Sequence, residues 1–212
     1  MKRIFFIGWM LLVFLFSCKS KKEKVRDLLE QGADSSQAGH YAAAIDLYNK
    51  AIASDPWLKK GFYLRGVTNI QAGEYKGAME DLERAEKLLS NGSGYIMQKN
   101  NILKPEDNFW EVDYHDLLYH KAVASVYLDS LVKAYRYFDY LIRNQYRETS
   151  RCFLWKGEIL LGAGDSVNAC TEFMNAKLAG IEPEDRNLAA DYLMKVCKDK
   201  LNPDTLLFYK AK

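Results

Sequence analysis

The sequence predicts an all-α protein, an α-solenoid of four helical hairpins closed by a C-terminal capping helix. Three observations predict it. Similar residue types recur 34 positions apart: Gly39 and Gly73, Tyr41 and Tyr75, Ala44 and Ala78, Ala51 and Ala85. Within one copy Ala44, Tyr48 and Ala51 stand at i, i+4 and i+7, on one face of a helix. Glycines fall between the helical stretches, where a chain often turns at positive φ. A single hairpin cannot bury its apolar face, so three or more must stack.

Composition bounds what such a stack can do. The chain has 212 residues and is 49% hydrophobic, enough for a sizeable core. A formal net charge of +2 is too balanced for a nucleic-acid partner. The four cysteines form no CxxC, which leaves a zinc site without support.

The first element, residues 1–17, reads as a signal peptide. Lys2 and Arg3 are followed by an uncharged apolar run from Ile4 to Phe16, too short for a spanning helix. Its end, Leu15-Phe16-Ser17-Cys18, resembles the bacterial lipobox. The resemblance implies that Cys18 is lipidated and becomes the new N-terminus. An uncleaved apolar anchor with an incidental cysteine is the alternative. Losing Lys2 and Arg3 would leave 28 of the 30 Lys+Arg against 28 Asp+Glu. Residues 18–24, the lipidated cysteine and a basic tether, carry Lys19, Lys21, Lys22 and Lys24. They either lie on anionic headgroups or are simply solvated. Surface-exported lipoproteins resemble one another in an acidic run after the cysteine. The opposite charge here implies a bacterial membrane lipoprotein of the outer membrane, facing the periplasm.

The repeats follow, two in residues 25–92 and two in 115–183. Copy one, Val25 to Leu58, places Gly32, Gly39, Tyr41, Ala44, Tyr48, Ala51 and Pro56, the proline stopping its second helix. Copy two, Lys59 to Gly92, repeats this with Gly66, Gly73, Tyr75, Ala78, Leu82 and Ala85. Copy three, His115 to Glu148, has Ala122, Ala134 and Phe138, with Asp129 at the turn and Leu141 for the second alanine. Copy four, Ser150 to Pro183, has Gly157, Gly164, Ala169, Phe173 and Ala176.

Between copies two and three lies an insertion, residues 93–114. Connections beyond ~12–15 residues are uncommon in compact domains. This one holds Tyr95, Ile96, Met97, Phe109 and Trp110, unlike a disordered linker. It either docks on the solenoid or pads the joint. Residues 184–212 are the cap and tail. Leu188, Tyr192, Leu193 and Val196 are expected to form the dry stripe, with Asp191 and Lys195 facing elsewhere.

A 34-residue hairpin with small residues at unit positions 8, 20 and 27, an aromatic at 24 and proline at 32 resembles the tetratricopeptide repeat (TPR). The resemblance covers 136 residues and implies a right-handed superhelix. It implies that unit positions 2, 5, 9, 12 and 13 of each first helix line a concave groove. Copy two would supply Tyr63, Val67, Ile70 and Gln71. Copy three would supply Tyr119, Val123, Val126 and Tyr127, and copy four Leu154. Some family members clamp a C-terminal carboxylate with Lys and Asn at positions 5 and 9. Leu29 with Ala33, and Tyr63 with Val67, do not match, so that activity is not implied. An apolar groove implies a ligand, either a partner segment or the chain's own insertion. The expected state is an open groove with Phe109 and Trp110 packed at its rim.

Motifs for chemistry are lacking. There is no GxSxG, HExxH or glycine-rich phosphate loop. His115 and His120 are five apart, off the same-face helical spacing, and Asp113 with Asp116 reads as a helix cap with an acidic first turn. No cofactor, metal or catalytic residue is expected. Cys152, Cys170 and Cys197 read as buried core residues; if a disulfide forms, Cys170 with Cys197 matches best in helix level. The sequence thus predicts a lipid-anchored, non-enzymatic adaptor or scaffold of the bacterial envelope. It would hold a peptide or helix of an envelope protein in its groove and contact the membrane through its N-terminal lipid. The alternative is a permanent structural subunit packed through its convex face, where Tyr135, Tyr137 and Tyr140 cluster. An enzyme or small-ligand binder using the insertion as a lid is a distant third.

Overall fold

A computed structural model describes residues 20–91, 109–180 and 182–198. The expected signal segment, Cys18, most of the insertion and the tail beyond residue 198 lie outside them. Every regular element among the described residues is helical: α1 (Lys21–Gln37), α2 (Tyr41–Ser54), α3 (Lys59–Gln71), α4 (Tyr75–Asn91), α5 (Tyr114–Tyr127), α6 (Leu131–Arg143), α7 (Thr149–Gly162), α8 (Ser166–Ala179) and α9 (Pro183–Val196). No described helix is long and apolar enough to cross a membrane.

Local chemistry sets the helix ends. Ser20 and Glu23 form a reciprocal capping box, at 3.2 Å and 2.7 Å. Helix α1 therefore begins at Lys21, and most of the expected basic tether is helical. The Asp113 carboxylate accepts from the His115 and Asp116 amides at 2.8 and 3.0 Å, as the cap reading anticipates. Gly39, Gly73 and Gly164 turn their hairpins at φ near +80°. Asp129 does the same at φ 57°, in the left-handed region that short polar side chains tolerate. Without the proline of copy one, α4 runs on to Asn91.

Packing is sequential. Each helix lies against the next, and α1 also touches α3, α3 touches α5, and α7 touches α9. Helix α4 packs on α5, so the insertion does not interrupt the stack. Ala44, Ala51, Ala78, Ala85, Ala134, Ala169 and Ala176 are completely buried. Small side chains there let backbones approach, while Tyr48, Leu82, Phe138 and Phe173 fill the space between.

A polar ladder absent from the sequence reading crosses these junctions. Unit position 7 is cationic in copies two, three and four, as Arg65, Lys121 and Lys156. Arg65 forks onto Asp81 at 2.6 and 2.8 Å and also donates to Asn49. Lys121 reaches Glu86 at 2.6 Å. Lys156 lies between Glu172 at 3.0 Å and Asp139 at 3.2 Å. Each cation thus ties its own hairpin to the one before. Lys121 and Lys156 are buried, which is tolerable only because carboxylates face them.

The cap differs from expectation in its rotation. Leu188 is 47% exposed, and Asp185, Ala189, Leu193 and Cys197 are the buried positions. Tyr192 stacks on Phe173 at 4.3 Å, and a disulfide joins Cys197 to Cys170. These two links set the rotation of α9. Cys152 is free and buried, its thiol pushed up to about 12 by burial.

Candidate functional site

The first helices of the hairpins, α1, α3, α5 and α7, carry the residues expected to line the groove. The alcohols at the turn end are joined: Ser36 lies 2.9 Å from Thr68 and donates to Gln71 at 2.7 Å. This holds Gln71 in place while leaving it exposed.

At the centre the aromatics pack on one another. Tyr63 meets His120 edge-on at 5.8 Å, and His120 meets Tyr119 at 5.5 Å. Tyr119 continues onto Tyr146 at 5.7 Å and Phe138 at 6.1 Å. Burial raises the Tyr63 and Tyr119 phenols and pushes His120 down to about 4. His120 is therefore neutral at physiological pH. Both tyrosines are half-buried walls rather than projecting anchors.

The remaining expected residues divide. Val123, 8% exposed, belongs to the core of copy three, with Ile70 and Val126 packed partly against it. Leu154, 5% exposed, lies under the cap with Ala189 and Leu193. Neither offers surface to a partner, because positions 5 and 9 border the face covered by the next hairpin. Val67 is half-buried. Tyr127 is 53% exposed and stacks on Tyr75 at 4.2 Å, nearly parallel, with Trp155 edge-on at 6.0 Å. That ledge is an aromatic surface on the face expected to form the groove, with Tyr127 as its exposed ring.

The described end of the insertion lies against α1 and the start of α3. Phe109 and Trp110 sit under the Arg26 guanidinium, at 4.8 and 5.8 Å, and Lys22 reaches Trp110 at 5.5 Å. Glu111 pairs with Lys59 at 2.6 Å, and its carbonyl accepts from Lys60 at 3.2 Å. Val112 is buried against Leu89 and Leu117. Phe109 and Trp110 thus pack with the core cluster of copy one.

Charge at the rim comes from unit position 2: Arg26, Lys60, Asp116 and Arg151. Asp116 accepts from Tyr146 Oη at 2.8 Å and pairs with Arg147 at 2.8 Å. Arg151 contacts Asp185 at 3.2 Å and so ties the cap to the last hairpin. The sequence reading weighed His120 only as a metal ligand, and missed Tyr146 and Arg147. Tyr146 and Arg147 come from the α6–α7 turn, and the carboxylate of Asp116 was the only hint of them. No group of metal-ligating side chains occurs among the described residues.

Comparison with known proteins decides the fold family. No protein-family model matches the chain. MamA superposes with a TM-score of 0.55 at 20% identity, covering 79% of this chain and 81% of MamA. TTC0263, a TPR protein of Thermus thermophilus, gives 0.56 at 18% identity, over 88% and 97%. YrrB, described as a TPR protein with an unusual peptide-binding site, gives 0.52 at 16% identity, over 92% and 99%.

The fold is that of the tetratricopeptide repeat.

The TPR assignment extends to sequence over part of the chain. Tetratricopeptide repeat protein 36 of Danio rerio is 40% identical over 72 residues, 34% of this chain and 38% of that protein. Its homolog in Nematostella vectensis is 36% identical over 58 residues, 27% of this chain and 32% of that protein. The chain therefore spans about a third of the length of these TPR relatives.

Proposed function

We propose that the protein is a lipid-anchored, non-enzymatic scaffold of the bacterial envelope that holds a peptide or helix of an envelope partner on its concave face. The observation that carries this reading is the exposed Tyr75–Tyr127 ledge beside Trp155, joined to the half-buried wall of Tyr63 and Tyr119. Aromatic side chains dominate peptide contacts, and a pre-packed aromatic surface loses little entropy on binding. His120 is held neutral among aromatic rings and so belongs to a packed wall of this surface. YrrB's peptide-binding site is a fold-level analogy for the same use of a TPR surface.

The anchor reading rests on the apolar run ending at Ser17-Cys18. Cys18→Ala abolishes lipid labelling and leaves the unprocessed precursor in the inner membrane; unchanged labelling refutes it. A second reading, permanent packing through the convex face, is favoured by the exposure of Val132 and Tyr140 beside an open cleft of about 630 Å³ at residues 129–137. In-membrane crosslinking separates the two. On the concave reading Tyr127→Asp loses the partners that wild type captures, and Tyr140→Asp keeps them. The reverse pattern assigns the convex face.

A further inference from the structure

The end of the solenoid where α1 begins carries an apolar cleft of about 600 Å³ that the concave-groove reading does not use. Its lining includes Val25, Leu58, Trp57 and Trp110, with Lys21, Lys22 and Lys59 at the edge. Trp57 is 70% exposed, the most exposed large hydrophobic residue among those described. Nothing in the hairpin fold requires a tryptophan there, because the turn is already fixed by Pro56 and the Asp55 carboxylate, which accepts from the Trp57 amide at 3.0 Å. Cations surround both indoles. Arg84 lies 5.6 Å from the Trp57 ring and Lys22 5.5 Å from Trp110. Lys21 and Lys22 are exposed, while Lys59 pairs with Glu111. Counting Asp55 and Glu111, the patch holds four cations against two carboxylates.

We infer that this end of the solenoid is a membrane-docking face, with Trp57 seated at the headgroup level of an anionic phospholipid surface and Lys21 and Lys22 on its phosphates. The inference rests on the anchoring reading of residues 1–18 and adds an orientation to it. Three observations select a lipid surface as the occupant. Tryptophan beside lysine is the residue pair that favours the membrane–water interface. The patch is cationic, and anionic headgroups attract lysines within a Debye length. Cys18 stands two residues before the Ser20 cap, a chain reach of at most ~7 Å. An acyl anchor on Cys18, or an apolar anchor ending there, therefore holds this end of the solenoid against the bilayer. A rigid α1 starting so close to the anchor leaves no long tether on which the domain could turn away. The docked solenoid stands with its N-terminal hairpin on the membrane and its later hairpins projecting from it.

The test uses the full chain in vesicles of phosphatidylethanolamine with phosphatidylglycerol, some bearing bromine near the top of the acyl chains. Flotation reads the anchor; quenching of tryptophan emission reads the face. The Trp57 contribution is the difference between wild type and Trp57→Phe, a surface change whose fold is checked by circular dichroism. The expected results are co-flotation of both proteins and a quenched component that Trp57→Phe removes. Lys21→Glu with Lys22→Glu, or neutral phosphatidylcholine vesicles, should reduce that component at least twofold without loss of flotation. Co-flotation with Trp57 unquenched overturns the docking face and leaves the anchor standing. Failure to float overturns the anchor, and the docking face with it. Quenching indifferent to both charge changes overturns the role given to the lysines. A Trp57 that is unquenched but crosslinks to residues 4–16, or to a second copy, assigns the cleft to that occupant instead.

Discussion

Gly32→Ala tests the helix-to-helix contact on which every hairpin depends. Gly32 is buried in α1, and a Cβ built there lies 2.5 Å from Cε1 of Tyr48 and 2.9 Å from two more ring atoms. Tyr48 is 1% exposed, with no open space into which the ring can retreat. Overpacking of this kind costs ~1–3 kcal/mol. Replacing a mid-helix glycine by alanine returns about 1 kcal/mol of helix propensity. The overpacking wins, for a net loss of about 1 kcal/mol. Gly162→Ala is the control. It sits at the end of α7 with nothing within 4 Å of its added Cβ, so only the propensity gain remains, about 0.5 kcal/mol at a helix end. The two variants should therefore differ by about 1.5 kcal/mol, or ~3–6 °C in melting temperature for a chain of this size. Thermal and urea unfolding followed at 222 nm reads this. Tyr48→Leu supplies the coupling test, because copy two holds Gly66 against Leu82 with a milder 3.0 Å approach. Gly32→Ala should cost less in the Tyr48→Leu background, with a coupling of about 1 kcal/mol. Equal melting of Gly32→Ala and Gly162→Ala, or strict additivity with Tyr48→Leu, refutes the packing argument.

Three further outcomes follow from the polar and covalent links. Lys156→Met strands Glu172 without its cation, while Asp139 keeps Arg143 at 2.7 Å, and should cost ~3–5 kcal/mol, most of it recovered when Glu172 also becomes Met. Burial opposes the charge on Lys156, but the Glu172 and Asp139 bonds outweigh it and raise its pKa. The ladder's stabilisation should therefore be complete below the ordinary lysine value of about 10.4 and fade as pH rises through the higher folded value, a decline that Lys156→Met flattens in urea titrations. His120 is shifted the other way, to about 4. Between about 6.5 and that value the unfolded chain binds the extra proton, so stability falls on acidification, by at most about 3 kcal/mol, and His120→Gln should remove that slope between pH 7 and 4.5. The Cys170–Cys197 bond closes a separation of 27 residues. Cys197→Ser should cost about 3 kcal/mol and release the amides of α9 to hydrogen exchange before those of α1–α4; uniform exchange across the chain contradicts the end-on role of the cap.

The hairpins themselves were legible in the chain because their signals are local. Glycines at the turns, Pro56 after α2 and the alanine–aromatic–alanine face act within a few residues of themselves, and the 34-residue spacing repeats them. The register survived the insertion for the same reason: α5 carries its own cap in Asp113 and its own packing face in Ala122. What a hairpin's neighbours do to it was not legible. Val123 and Leu154 occupy positions at the border between core and groove, and only the adjoining hairpin and the cap decide that they are covered. The Asp116 bonds to Tyr146 and Arg147 and the junction cations at Arg65, Lys121 and Lys156 join residues 16 to 35 positions apart, and the wedge of His120 against Tyr63 joins residues of different hairpins farther apart still. The rotation of α9 is of the same kind. Leu188 and Ala189 are neighbours with similar claims to a dry face, and the ring stack on Phe173 and the bond to Cys170 choose between them. Periodicity fixes which side of a helix is apolar to within about one residue; contact with the next helix settles the rest, because burial depends on what lies opposite.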